Sequence, residues 1–208
     1  IFGKEVPATS IIETGTYVGL STALMAKTFP DLNIYTCEIN LANYMKAKKN
    51  LRSFSNVNLF NETSPNFLLN LISNISLGNL PLFFLDAHWL DNWPLEEEIE
   101  IISNRSGSAV IVIDDFKKPG DNRFKFDKYE NKECSIELIV PRLNKNNNYQ
   151  LLFPNYGTEI FDTKTYHPEL SGYVIIFQNL EEEFIRICKI DFIKKYFMNG
   201  TVCLREFL

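Results

Sequence analysis

Two pairs of residues in the middle of the chain have the chemistry of proton transfer or of cation binding. Asp86 ends the apolar run 80–86, and His88 follows two positions later. Histidine has the ordinary pKa closest to neutral pH, so we predict that His88 is a catalytic base and Asp86 a catalytic partner. Asp114 and Asp115 end a second apolar run, and adjacent carboxylates repel each other unless a proton or a cation relieves them. Asp86, Asp114 and Asp115 are therefore predicted to hold Mg²⁺, Ca²⁺ or Mn²⁺, with Asp114 a third candidate catalytic residue.

Both pairs can also be explained by purely structural roles. One of the two adjacent Asp residues can cap a turn while the other faces a site. His88 can equally be a structural residue of its loop.

A glycine-containing turn near the start of the chain has the residues to bind a nucleoside ligand. The segment 13–19 has the sequence Glu-Thr-Gly-Thr-Tyr-Val-Gly, after a short β-branched run and before the helix-forming segment 21–27. A strand, a tight turn and a helix N-terminus in this order present backbone N–H groups to a ligand. A carboxylate at Glu13 would repel a diphosphate but attract an amine or a sulfonium. The turn therefore favours S-adenosyl-L-methionine (SAM) over NAD.

Acidic residues end most of the predicted strands. Glu38 follows the glycine turn by about twenty residues, where an acid can bind the two hydroxyls of a ribose. NAD and SAM both contain that ribose, so Glu38 does not choose between them. The third strand ends near Glu62. Because ligands of open α/β sheets bind beyond the carboxyl ends of the strands, we expect these acids to surround one site.

The composition is that of one globular domain. The chain has 208 residues, of which 45% are hydrophobic and 23% charged, enough for a sizeable core. The net charge of −5 and the lack of a basic block argue against a nucleic-acid partner. No segment is long and apolar enough to predict a membrane span, and we expect no membrane among the partners. Four cysteines without metal-type spacing predict reduced thiols and a cytoplasmic protein: Cys37, Cys134, Cys188 and Cys203.

Strands and helices alternate along the chain. Seven strands are predicted, at 10–12, 33–38, 57–60, 80–86, 109–115, 149–153 and 172–177. Helices are predicted at 21–27, 41–53, 63–76, 95–103 and 133–143. This order predicts an α/β fold with a Rossmann-like, doubly wound sheet of seven strands, mostly parallel with an antiparallel last strand. Residues 1–180 would form the domain, and 181–208 a C-terminal extension that packs on the domain or on a partner, which leaves a homo-oligomer open.

Residues 8–178 resemble a class I SAM-dependent methyltransferase. The segment 13–19 is similar to the family's acidic-x-Gly-x-Gly-x-Gly motif, with Thr16-Tyr17 where the family often has its middle glycine. The acids after the fourth and fifth strands resemble those of macrocin-type sugar O-methyltransferases, which use a divalent cation. The resemblance implies SAM as cofactor and the following contacts to it: Glu13, Gly15, Thr16, Gly19, Ser21, Glu38, Ser64 and Asp86.

The activity implied is methyl transfer to a hydroxyl of a small molecule or a sugar-containing acceptor. The acceptor oxygen would displace the methyl group in line, and either His88 or a metal on the three aspartates would assist loss of the hydroxyl proton. Two alternatives stay open, since fold does not decide function. One is a metal-dependent hydrolase or hydroxylase-like enzyme on the same sheet, and the other a SAM-fold binding protein without turnover.

Overall fold

The computed structural model describes residues 6–87, 93–157 and 170–201, and in these residues the chain forms a layered α/β fold. The strands are β1 Ser10–Thr14, β2 Asn33–Cys37, β3 Val57–Phe60, β4 Pro81–Leu85, β5 Ala109–Ile113, β6 Phe124–Lys125, β7 Lys128–Tyr129, β8 Lys132–Glu133, β9 Tyr149–Pro154, β10 Leu170–Ser171, β11 Val174–Gln178 and β12 Phe197–Thr201. The helices are α1 Leu20–Thr28, α2 Leu41–Asn50, α3 Ser64–Asn74, α4 Leu95–Asn104, α5 Ile136–Ile139, α6 Glu181–Ile187 and α7 Asp191–Tyr196, with a 3₁₀ turn at Val140–Arg142.

The central sheet has eight strands in the order β12-β9-β11-β5-β4-β1-β2-β3. Strands β1 to β5 pair in parallel, and β11 lies antiparallel between β5 and β9. The predicted doubly wound sheet with its antiparallel strand is thus confirmed. The predicted count of seven strands is one too low, because Phe197 begins a further strand, β12, that pairs antiparallel with β9. This strand could not be recognised from the sequence because its partner is more than forty residues away.

Local sequence signals explain where several helices begin and end. The Asn40 side chain caps α2, accepting hydrogen bonds from the backbone N–H groups of Ala42 at 3.0 Å and Asn43 at 3.1 Å. The predicted helix over 133–143 is instead short and broken. Pro141 lacks an N–H group and its ring crowds the preceding turn, so α5 gives way to a 3₁₀ turn.

Alternate residues of the central strands pack on opposite faces of the sheet. Ile12 and Ile111 belong to the cluster that contains the apolar sides of α3 and α4. Ile11 packs with α1 on the other face, and Val110 packs there with Ile187 of α6. The described part of the C-terminal extension therefore contributes to the core, while the domain boundary at residue 180 stays a prediction. None of the helices in the described ranges has the length and apolar character to cross a membrane.

Candidate functional site

The register of the parallel strands brings their carboxyl ends to one edge of the sheet. Thr14 lies opposite Cys37 of β2 and Leu85 of β4, and Leu85 lies opposite Ile113 of β5. The residues that follow these strand ends therefore form one row: Gly15, Glu38, Asp86 and Asp114. Four of the predicted site residues are brought together in this way.

The turn after β1 is built on three left-handed residues. Gly15, Tyr17 and Gly19 have φ angles of 87°, 50° and 85°. A Cβ atom on Gly15 would lie 2.2 Å from the carbonyl oxygen of Asp86, so only glycine allows the ends of β1 and β4 to approach this closely. The N–H groups of Gly15 and Thr16 donate to the carbonyl oxygen of Cys37 at 3.1 and 3.0 Å. Those two groups hold the turn against β2 and are already occupied.

Glu13 supports the turn from inside the protein. Its side chain is only 1% exposed, and its Oε2 atom accepts hydrogen bonds from the Thr22 hydroxyl at 2.5 Å and the Thr36 hydroxyl at 2.6 Å. Burial raises the pKa of Glu13, and the two threonine hydroxyls oppose that rise. Thr16 is also buried and shares a hydrogen bond with Thr36. Through its Oε2 atom Glu13 joins β1, α1 and β2, while its predicted contact with the cofactor stays a prediction.

Glu38 is held in one orientation by backbone donors. Its Oε2 atom accepts from the N–H group of Tyr17 at 2.7 Å, and its Oε1 atom accepts from the N–H group of Asn40 at 2.8 Å. The Asn61 side chain donates to the carbonyl oxygen of Glu38 at 2.6 Å. The glycine turn thus contacts Glu38 through its carboxylate, and the residue after β3 contacts it through its backbone carbonyl.

Two further predicted cofactor contacts, Ser21 and Ser64, differ in environment. Ser21 is exposed on the first turn of α1. Ser64 is buried at the start of α3 and interacts with the carboxyl group of Glu98, as does the hydroxyl of Thr14. Ser64 therefore lies beneath the row of strand ends.

Glu98 is a buried acid that the sequence analysis passed over. The side chain is fully buried on α4, and burial raises its pKa to about 7 against the opposing effect of the two hydroxyls. Within the described residues neither of its carboxyl oxygens makes a hydrogen bond of normal geometry. The buried stripe of α4 consists of Leu95, Ile99 and Ile102. Glu98 lies at helical spacing on that stripe, and this pattern in the sequence could have identified it as buried.

Four aspartates form an acidic group, of which three follow β4 and β5 and the fourth, Asp127, lies between β6 and β7. Burial, and then the charges of Asp114 and Asp115, raise the pKa of Asp86 to about 8. Burial and the charge of Asp115 also raise the pKa of Asp114. Burial and the same two neighbours raise the pKa of Asp127, which the sequence analysis missed, to about 6. The charge of Asp115 is therefore close enough to raise the pKa values of both Asp86 and Asp114.

The predicted metal set is not found among the described side chains. In residues 6–87, 93–157 and 170–201, no three or more His, Cys, Asp or Glu side chains are arranged to hold a metal ion. Asp115 has a φ of 46° and accepts a hydrogen bond from Ser171, which commits one of its oxygens within the protein. His88 lies outside the described residues, so its catalytic role stays a prediction.

Comparison with known proteins shows which fold the chain has. As a sequence, the chain matches no family model and no curated protein. As a structure, it is similar to the O-methyltransferase from Bacillus cereus in complex with S-adenosylhomocysteine (SAH). The TM-score is 0.54 and the identity 17%, over 82% of this chain and 74% of that one. It is also similar to the methyltransferase domain of bacterial CtHen1-CN, with a TM-score of 0.53 and 14% identity, over 84% of this chain and 92% of that one.

This chain has the class I methyltransferase fold. The predicted fold is thereby confirmed, with the antiparallel strand that the sequence indicated. The narrower resemblance to macrocin-type sugar O-methyltransferases stays a prediction.

Proposed function

We propose that this protein is a SAM-dependent methyltransferase that acts on a hydroxyl group of a small molecule or of a sugar-containing acceptor. The observation that supports this most strongly is the turn 15–19, whose three left-handed residues place the N–H group of Tyr17 on the carboxylate of Glu38. This turn lies at the edge where the ends of four parallel strands form a row. The similarity of fold to an O-methyltransferase solved with SAH agrees with it.

The carboxylate of Glu38 fits the ribose of SAM. A carboxylate offers about four lone-pair sites, and the N–H groups of Tyr17 and Asn40 use one on each oxygen. Within the described part of the chain, one site remains on each oxygen to accept from the two ribose hydroxyls. The backbone donors orient the carboxylate before the ligand arrives, so less free energy is lost in ordering it on binding.

The remaining residues divide into those that contact the ligand and those that support them. We assign contacts to Gly15, Gly19, Ser21 and Asp86, which lie at the strand-end row or at the start of α1. Three buried residues act through their neighbours instead: Glu13, Thr16 and Ser64. When bound, SAM supplies an electrophilic methyl group on its positively charged sulfur.

Two groups are candidates to take the proton of the acceptor hydroxyl. His88 is the first, by its residue type and its place after β4. Asp114 is the second, because burial and Asp115 raise its pKa and so make the carboxylate a better proton acceptor.

The net charge of −5 favours a small acceptor over a polyanion, and a cytoplasmic location remains an expectation. A divalent cation remains an option that activity assays with added Mg²⁺ would test.

Binding of SAH measured by calorimetry tests the cofactor assignment. We expect the wild-type protein to bind SAH, and Glu38→Gln to bind it about 10–100-fold more weakly, since hydrogen bonds to a charged group contribute about 1.5–3 kcal/mol each. Glu62→Gln is the matched control, because this acid after β3 instead accepts a hydrogen bond from Asn70 on the surface. Binding of NAD with no response to SAH would reject the proposal. Binding of SAH without methyl transfer to any hydroxyl acceptor would favour a SAM-fold binding protein without turnover. Metal-dependent hydrolysis without binding of SAH would favour the hydrolase or hydroxylase-like alternative.

A further inference from the structure

Tyr17 occupies the place of the middle glycine in the turn, at a conformational cost. Its φ angle of 50° lies in the left-handed region, which residues with a Cβ atom rarely adopt. The flanking left-handed positions, Gly15 and Gly19, are glycines. A strained residue that persists at a ligand-binding turn points to a function for its side chain.

The backbone of the turn explains the conformation but not the residue type. The N–H group of Tyr17 must point at Oε2 of Glu38, 2.7 Å away. The N–H group of Gly19 closes the turn onto the carbonyl oxygen of Thr16 at 2.8 Å. A glycine at position 17 would make the same backbone contacts without strain.

The ring of Tyr17 contributes little to the fold. It is 61% exposed, and within the described residues its hydroxyl makes no hydrogen bond and its ring has no aromatic or cation partner. Two other exposed apolar side chains lie beside the Glu38 carboxylate in the chain, Ile39 and Leu41. Exposed apolar residues next to an oriented carboxylate, one bonded to it through its backbone and two close to it in the chain, suit a nucleoside, whose sugar has hydroxyls and whose base has flat apolar faces.

We propose that the ring of Tyr17 packs on the nucleoside of the ligand that Glu38 holds. This inference rests on the proposed function. Because its N–H group is bonded to Glu38, the Cα atom of Tyr17 is fixed beside any ribose bound to that carboxylate. The ring is joined to this Cα by a single methylene and needs only two torsions to reach the nucleoside, so little entropy is lost. The contact is made by the ring face, and the hydroxyl is dispensable.

Tyr17→Gly separates the contribution of the ring from that of the turn. We expect this variant to bind SAH about 3–10-fold more weakly, the size of a lost aromatic contact. Adenosine should lose affinity by the same factor, since it contains the same nucleoside. Tyr17→Phe should bind both ligands within about twofold of wild type. The melting temperature of Tyr17→Gly should be unchanged or higher by up to about 4 °C, because strain is removed.

Glu130→Gly provides the matched control. Glu130 is exposed, has a φ of 49° and lies between β7 and β8, so the same substitution removes similar strain away from Glu38. It should leave the affinity for SAH unchanged. Equal affinity of wild type and Tyr17→Gly for SAH would overturn this inference alone. A melting temperature of Tyr17→Gly well below wild type would also overturn it, since the ring would then stabilise the fold. Failure of wild type to bind SAH would overturn the proposed function as well.

Discussion

Asp86 should make the affinity for SAM, but not for SAH, depend on pH near neutrality. Burial, followed by the charges of Asp114 and Asp115, raises the pKa of Asp86 to about 8. Below that pH its carboxyl group is mostly protonated in the protein without ligand. SAM has a positive charge on its sulfur and SAH has none, so only SAM favours the ionised carboxylate. Binding of SAM should therefore release a proton from Asp86.

The size of the effect follows from the position of this pKa. A group with a pKa of about 8 is ~99% protonated at pH 6 and ~50% protonated at pH 8. If the sulfonium lowers the pKa of Asp86 below 6, the ratio of SAM affinity to SAH affinity should rise by up to ~50-fold between these two pH values. The amino, carboxylate and nucleoside groups are common to both ligands, so their own titrations largely cancel in the ratio.

Calorimetric titrations with SAM and SAH at pH 6, 7 and 8 measure this ratio. Repeating them in buffers of different ionisation enthalpy counts the protons released. Asp86→Asn should give a ratio that is flat with pH, because the amide cannot ionise. Glu62→Gln, two residues after the edge strand β3 and separated from β4 by β1 and β2, should retain the wild-type slope. A wild-type ratio that stays constant from pH 6 to pH 8 would refute the placement of Asp86 near the sulfonium.

Two further predictions concern Glu98 and His88. Burial raises the pKa of Glu98 from 4.5 to about 7. Between these pH values unfolding releases a proton, so the free energy of unfolding of the wild type should fall as the pH rises, by up to about 1.4 kcal/mol per pH unit. Glu98→Gln should therefore raise the melting temperature at pH 8 by several degrees and change it little at pH 5, and an equal change at both pH values in thermal unfolding would contradict this. His88→Ala should lower methyl-transfer turnover by roughly 10²–10⁴ while leaving SAH affinity unchanged, and near wild-type turnover would reassign His88 to loop packing.

Much of the fold could be predicted because its signals are local. Parallel strands buried on both faces are continuous apolar runs, so 80–86 and 109–115 were recognisable without knowledge of their neighbours. Asn40 identifies the start of α2 for a similar reason, since a capping residue acts on backbone groups two and three positions away. The order of strands and helices then determined the handed crossovers, and with them the row that contains Glu38 and Asp86.

The environment of each site residue was decided by contacts between distant parts of the chain. Glu13 is enclosed because Thr22 of α1 and Thr36 of β2 close over it. Glu98 is buried because α4 packs against β1 and the start of α3, and its pKa follows from that burial.

The sequence by itself therefore determined which elements form, in what order, and which acids reach the ligand edge of the sheet. Only the tertiary structure decided which of those acids are open, which are protonated and which support their neighbours. It also decided the eighth strand, since Phe197 could not be assigned to β12 without its partner β9. The physical reason is that apolar periodicity and capping act over a few residues, whereas desolvation, charge coupling and strand pairing depend on groups that folding alone brings together.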